Sequence, residues 1–398
     1  MIRLGVIGYG SRIHGVIHHA VRAINEDVRV VGVVDPDEAG ARERLAECDK
    51  DATFYPDLDT MIRVGKLDGL AIGTRCNLHT PMAIEAAKYD LPLFLEKPVA
   101  VSFEQAHALE AGFENSKCEV VVSFPLRVSP LCDLVRRTIV EGATGEVQHV
   151  TATNFVSYGA VYWEEGYRNF DVTQGLFLQK ATHDLDYLMY LVGAPITQVS
   201  AMANYGQVFG GNKPAGLRCS TCDETAGCRE SPDNRGRAGS FHPKDHLCVF
   251  SQDCGSPESG TNEDCSSALM RFANGAHGSY SQVFFTKRDA ARRGATLAGY
   301  NGTVSFDWYD NQMTRVRHHE PFSDVVKAGE GRGHFGGDWE LASDFVALIE
   351  GKIKRSRTPI ETGIQSAYTC LAAKQSAETG QFVDVPQVGA AGTIRVGV

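Results

Sequence analysis

No run of apolar residues in the 398-residue sequence comes near the ~20 needed to cross a bilayer, so no membrane-spanning helix is expected. Clustered positive charge is missing too. With 39 Lys and Arg against 49 Asp and Glu the formal charge is −10. A nucleic-acid or anionic-membrane surface needs a basic patch, so neither partner is expected. The short basic runs Arg136-Arg137, Arg292-Arg293 and Lys352 to Arg357 read as solvated helix and loop faces. The eleven cysteines follow no spacing of a small secreted scaffold, and most are expected to be reduced thiols. There is no internal repeat. Met1 to Gly10 reads at once as a strand and a glycine turn, which leaves no room for a signal peptide and makes a cytoplasmic location the expectation.

What is present is a chain that is 43% apolar, ordinary for a globular protein and long enough for two domains. Leu4–Ile7, Val28–Val34, Leu67–Ile72, Leu91–Leu95 and Glu119–Ser123 read as strands buried on both faces. Amphipathic segments separate them (Gly15–Ile24, Glu38–Cys48, Pro81–Tyr89), and repeated β-α units imply a doubly wound parallel sheet over residues 1–124. From 125 to 398 the rhythm changes. After the helix Leu131–Glu141, the strand Val147–Val156 and the helix Phe177–Val192, a series of strands with short turns predicts an antiparallel meander. The expected helices Asp338–Glu350 and Ile364–Thr379 close the chain. The fold class is therefore α/β, a Rossmann domain followed by an α/β domain with a large open, mostly antiparallel sheet. The stretch from about 206 to 264, rich in Gly, Ser, Asp and Cys, reads as a long insertion between two strands.

Gly8-Tyr9-Gly10-Ser11-Arg12-Ile13 joins the first strand to the first helix. The glycines allow a tight turn and close approach of a pyrophosphate to the helix's positive end, although Ile13 stands where the third glycine of the dinucleotide fingerprint belongs. Asp35 ends the second strand, where a carboxylate can accept hydrogen bonds from the adenosine ribose and would repel a 2′-phosphate. NAD is therefore expected rather than NADP.

Further along, Glu96-Lys97-Pro98 follows a buried strand, Cys76-Asn77-Leu78-His79-Thr80-Pro81 opens a helix at an equivalent edge, and Arg127 and Lys180-Ala181-Thr182-His183-Asp184-Leu185-Asp186 lie downstream. Together with the glycine turn these resemble the Gfo/Idh/MocA oxidoreductase family across the whole chain outside the insertion. The resemblance implies tightly held NAD or NADP and a sugar, cyclitol or related polyol as substrate. It implies that Lys97 sits between nicotinamide and substrate and that His183 is the general acid/base, with Asp186 as its companion on one helix face. It also places Asn77, His79 and Glu96 at the cofactor. Oxidising a secondary alcohol needs a base for the hydroxyl proton, and His titrates near neutrality. A buried lysine beside a cationic ring should lose its proton readily. One position departs from the family: Gln179 stands where an acidic residue usually precedes the histidine by four, which leaves the proton path open. Lys180 follows, and could bind an anionic or carbonyl group or leave its helix for solvent.

Other candidates come from the residues alone. The aromatic loop with Tyr158 and Trp163 could face a sugar, or could be core, and Arg127, among the residues of the resemblance, is expected at the substrate. His334 and Asp338 lie in a glycine-rich turn before a helix, where Asp338 suits an N-cap and the pair suits a substrate loop. Cys219, Cys222, Cys228 and Cys248 could hold a structural zinc, with Cys254, Cys265, His242 and His246 as competing ligands; disulfides or plain thiols are the alternatives. A homodimer or homotetramer through the open sheet is expected. Two other functions remain open on this reading: oxidoreductive glycoside cleavage with recycled NAD, and a non-catalytic NAD-binding regulator.

Overall fold

A computed structural model describes residues 1–235, 245–254, 260–329 and 333–389. Six short strands, β1 (Ile2–Ile7), β2 (Val28–Val34), β3 (Thr53–Phe54), β4 (Gly69–Ile72), β5 (Leu93–Leu95) and β6 (Val120–Val122), form one sheet in the order β3-β2-β1-β4-β5-β6. Every pairing is parallel. The strand order reverses between β1 and β4, and in such sheets ligands bind at the carboxyl ends beside that point. The helical run Ser11–Ile24, whose middle turn Val16–Val21 is π-helical, covers one face.

That face is completed by a helix from far down the chain. Gly337–Ile349 buries Leu341, Phe345 and Val346 in the same apolar cluster as Leu4, Val6 and Ile13. The last helix, Ile360–Thr379, lies between the two sheets. Gly363 lets it come so close that a Cβ there would stand 2.8 Å from Val99 Cγ1. Apolar faces of late helices thus find their partner surface on the first sheet, because burying them elsewhere would leave β1, β4 and β5 exposed on one side.

The second sheet has nine strands in the order β14-β13-β12-β11-β7-β10-β9-β8-β15. They are β7 (Val147–Phe155), β8 (Ile196–Tyr205), β9 (Glu263–Phe272), β10 (His277–Val283), β11 (Arg292–Gly299), β12 (Gly302–Asp307), β13 (Gln312–Arg317), β14 (Phe322–Lys327) and β15 (Val383–Asp384). Only the central β7–β10 pair is parallel, so the expected antiparallel character holds for the other contacts. The sequence reading passed over β14, an exposed edge strand whose Asp324 pairs with Arg315 at 2.9 Å and which lacks a buried apolar alternation. Among the described residues no helix is long and apolar enough to cross a membrane.

The insertion corrects one expectation. Among the described residues no three His, Cys, Asp or Glu side chains converge as a metal site, so the zinc set Cys219, Cys222, Cys228 and Cys248 is not assembled. Hydrogen bonds do the pinning instead. Thr225 Oγ1 donates to the carbonyls of Cys219 and Cys222 at 2.6 and 2.8 Å, and Asn234 Nδ2 donates to that of Cys228 at 2.9 Å. Asp264 gathers the backbone N–H groups of Gln207, Val208 and Phe209. His246 contacts only Cys219, at 3.5 Å, among the four proposed sulfur ligands, and His242 lies outside the described residues.

Candidate functional site

The glycine turn has the geometry of a nucleotide cradle. Gly8 has φ +77°, and a Cβ on it would stand 2.7 Å from the backbone of Thr74. At Gly10 the protein makes no such demand: a Cβ would meet only the Gly73 carbonyl, at 4.0 Å. The space beside Gly10 opens at the start of the helix, where a phosphate would be received by backbone N–H groups and the helix dipole. Ile13 fits in place of the third glycine because Gly73, after β4, supplies the room; a Cβ on Gly73 would lie 2.7 Å from that of Ile13. Asp35 accepts from the backbone N–H of Tyr9 at 2.7 Å and of Asp37 at 2.8 Å, one on each oxygen. A carboxylate has about four acceptor sites, so both oxygens keep capacity for ribose hydroxyls. Buried Asn77 Oδ1 has no partner, an acceptor left for a ligand. His79 is more committed: Nδ1 faces the Pro98 carbonyl at 2.8 Å and Nε2 that of Thr74 at 3.1 Å, bracing the turn that carries Lys97.

Lys97 crosses between the two sheets. Its Nζ donates to the Gln179 carbonyl at 2.9 Å. That carbonyl belongs to a π-helical turn, Phe177–Ala181, which leads into the α-helix Thr182–Val192. Single π turns interrupt the regular hydrogen-bond ladder and recur at functional sites. Glu263 at the start of β9 holds the turn in place by accepting from the N–H groups of Leu176 and Phe177 at 2.5 and 3.2 Å. Burial lowers the Lys97 pKa to about 8; Lys180 and Arg12 add to the effect and Glu96 opposes it.

Lys180 is 6% exposed, and its Nζ donates to the Tyr158 hydroxyl at 2.6 Å. It therefore does not leave its helix for solvent. His183 is equally buried, and its Nδ1 has no partner. Burial, followed by repulsion from Lys97 and Arg293, holds its pKa well below the ordinary value. Asp186 departs from expectation. It shares the helix with His183, yet its bond goes to Arg127 at 2.8 Å, whose guanidinium stacks over Tyr190, while Asp186 Oδ2 stays unpartnered. Burial raises the Asp186 carboxyl to about 6 despite Arg127.

Arg12 of the glycine turn spans three elements. It donates to Glu96 at 2.9 Å, to Asp338 in a fork at 2.7 and 3.1 Å, and to Ser123 Oγ at 3.3 Å. His334 Nδ1 lies 2.9 Å from Asp338 Oδ2, and its ring centroid is 6.3 Å from that of His183. Asp338 is therefore no N-cap; Gly336 occupies that position, and the carboxylate is drawn to the guanidinium. Trp163 is corrected as well. It is 1% exposed and packs on Phe209 and Phe284, so it belongs to a core cluster and not to a sugar-binding face.

Sequence reading missed the anchor beneath the site. Asp184 accepts from Arg293 at 2.8 Å, Asn154 at 2.7 Å and Tyr280 at 2.8 Å, all buried. The motif Lys180 to Asp186 drew attention to its other members, and Arg293 was assigned to a solvated run although it is 4% exposed. The available signal was its place two and four residues before the apolar Ala295 and Leu297, on the same face of β11.

Comparison with known proteins supplies the context. Residues 2–124 match the family described as "Oxidoreductase family, NAD-binding Rossmann fold", and residues 133–305 match the "GFO/IDH/MocA C-terminal domain". Inositol 2-dehydrogenase of Rhizobium meliloti (strain 1021) is 28% identical over 205 residues, 51% of this chain and 58% of that protein. Levoglucosan dehydrogenase of Pseudarthrobacter phenanthrenivorans is 24% identical over 346 residues, 80% of each chain. A structure of levoglucosan dehydrogenase in complex with NADH and L-sorbose superposes with a TM-score of 0.74 at 21% identity, covering 98% of this chain and 100% of the other.

Proposed function

Since this chain belongs to the GFO/IDH/MocA oxidoreductase family and is an NAD-dependent oxidoreductase, we propose that it transfers a hydride between nicotinamide and a secondary alcohol carbon of a sugar or cyclitol. One observation carries the reading. Lys97, beyond the end of β5, bonds the turn that leads into the helix carrying His183, so two nitrogen bases with lowered pKa values stand near each other. Bound NAD would supply the hydride acceptor for the alcohol carbon. The residues do the rest: neutral His183 or Lys97 accepts the hydroxyl proton, His183 around neutral pH and Lys97 as pH rises through about 8. Relatives named for inositol and levoglucosan support a polyol substrate.

Gly8, Gly10 and Ser11 would hold the pyrophosphate, Asp35 the adenosine ribose, and Asn77 the far end of the cofactor; NAD is favoured over NADP because Asp35 would repel a 2′-phosphate. Arg12, Ile13, His79 and Glu96 shape this site from behind. The open face of the nine-stranded sheet exposes Met202 and Leu269, at 78% and 57%, and a homodimer or homotetramer would cover it. The test is a panel of sugars and cyclitols followed by NADH absorbance. On the substrate so found, His183→Ala lowers turnover by roughly 10²-fold or more while NADH binding, read by fluorescence, stays close to wild type. Near-normal turnover in that variant would remove His183 from the chemistry.

A further inference from the structure

We infer that the substrate carries a carboxylate in addition to the hydroxyl that is oxidised, as a uronate or aldonate does, and that Lys180 receives it. The inference rests on the dehydrogenase reading above and adds the charge of the substrate to it.

The pairing of charges around the cleft points this way. Four carboxylates there are already engaged by an arginine: Asp184 by Arg293 at 2.8 Å, Asp186 by Arg127 at 2.8 Å, and both Glu96 and Asp338 by Arg12, at 2.9 and 2.7 Å, while Glu263 is taken up by the backbone N–H groups of the turn. Among the described residues neither lysine has a carboxylate within ion-pair distance, although Glu96 acts on Lys97 and Asp184 on Lys180 from farther away. Lys97 bonds a neutral carbonyl, and Lys180 bonds a neutral hydroxyl, that of Tyr158, at 2.6 Å. An ammonium has three donors, and Lys180 places one of them on protein. Its neighbour Gln179 is neutral and turns its own amide to Cys76 Sγ at 3.1 Å, so no side chain beside Lys180 on that turn competes for an anion.

A buried cation without a counter-ion is costly, and side chains of this kind usually shift toward the neutral form. Burial, with Arg293 adding to it and Asp184 opposing it in part, pushes the Lys180 amine well below its ordinary value in the free protein. An arriving carboxylate restores the charge and receives a charge-assisted hydrogen bond. The unpartnered Nδ1 of His183, three residues on, is available to the same ligand. In the reaction the carboxylate is unchanged. The alcohol carbon gives its hydride to NAD⁺, the hydroxyl gives its proton to the base, and the products are the oxo-acid, NADH and a proton.

The NAD-loaded protein is assayed on matched sets, each hexose beside its uronate and its aldonate. The expected result is a kcat/KM at least about 10-fold higher for one of the acids, expressed mainly in KM, the factor that ~1.4 kcal/mol of differential binding produces. In Lys180→Met this preference collapses to about unity or reverses, and in Lys180→Arg it returns in part; NADH fluorescence shows that each variant is folded. The inference is overturned if neutral sugars are preferred by the wild type, or if Lys180→Met slows acid and neutral partner by the same factor. Calorimetry on the NADH-loaded protein separates the two readings. Acid binding that depends on Lys180 without any NAD reduction would sustain the carboxylate site and remove the dehydrogenase. Reduction of NAD by neutral sugars, with no binding of acids, would do the reverse.

Discussion

Arg12 and Asp338 lie 326 positions apart in the chain and meet in a two-pronged ion pair, with nitrogen to oxygen distances of 2.7 and 3.1 Å. The pair ties the glycine turn to the closing helix Gly337–Ile349 and sets His334 beside His183. The candidate site thus draws residues from both ends of the chain, and the Arg12 guanidinium is one of the contacts that join them.

Asp338→Asn should destabilise the protein by on the order of 1–2 kcal/mol, less than a fully buried pair because the Arg12 side chain is 37% exposed and solvent screens it. Burial opposes ionisation of Asp338, but the hydrogen bonds from His334 and Arg12 outweigh it and hold its pKa well below the ordinary value. A group depressed in this way stabilises the fold above its unfolded pKa of about 4 and loses that contribution as pH falls through the folded value. Urea unfolding from pH 7 to pH 3 should show the wild type losing stability faster than Asp338→Asn below about pH 4. Parallel curves would contradict the assignment.

Lys97 behaves in the opposite sense. Its pKa falls to about 8 in the folded protein from 10.5. Between those values the unfolded chain binds more protons, so stability rises with pH across that window, and the buried ammonium is a cost below it. Lys97→Met should thus raise the melting temperature at pH 7 while reducing turnover by about 10²-fold or more. The wild-type rate of alcohol oxidation should climb through an apparent pKa near 8. A melting temperature that drops in Lys97→Met would show that the amine supports the fold.

Asp35 holds two backbone N–H groups in addition to its proposed ribose contact. Asp35→Ala should narrow the gap between NADH and NADPH affinity and also cost about 1–3 kcal/mol of stability. Fluorescence titration and denaturant unfolding read the two effects separately. An unchanged cofactor ratio with lowered stability would leave Asp35 a purely structural brace.

Asp184→Ala leaves the Arg293 guanidinium buried without its partner and should cost about 3–5 kcal/mol. Replacing both, as Asp184→Asn with Arg293→Met, should recover most of the loss. A single variant as stable as wild type would mean that water or another group replaces the carboxylate.

Much of the fold and part of the site were legible in the residues. Short apolar runs separated by helical periodicity specify a parallel sheet whatever follows them, because both faces must be covered. The glycine turn and Asp35 stand at strand and helix ends, where local pattern and spacing make them candidates; Lys97 and His183 became candidates through the family resemblance. The departures came where local pattern carries no information about partners. Asp338 looks like an N-cap in its own helix and becomes an ion-pair partner only because Arg12 arrives from the other end of the chain. Asp186 shares a face with His183, but its oxygen accepts from Arg127. Arg293 belongs to a basic doublet by sequence, and only the closing of β11 on β7 takes it out of water and onto Asp184. The sequence by itself determined which segments bury apolar surface and which backbone turns can approach a phosphate, since both follow from periodicity and from glycine's missing Cβ. Pairs one helical turn apart, such as Glu38 with Arg42, follow from spacing alone. Tertiary structure decided which charges meet across the candidate site: Arg12 with Asp338, Arg127 with Asp186 and Arg293 with Asp184 are set by distances between elements far apart in the chain, which no single segment's pattern encodes.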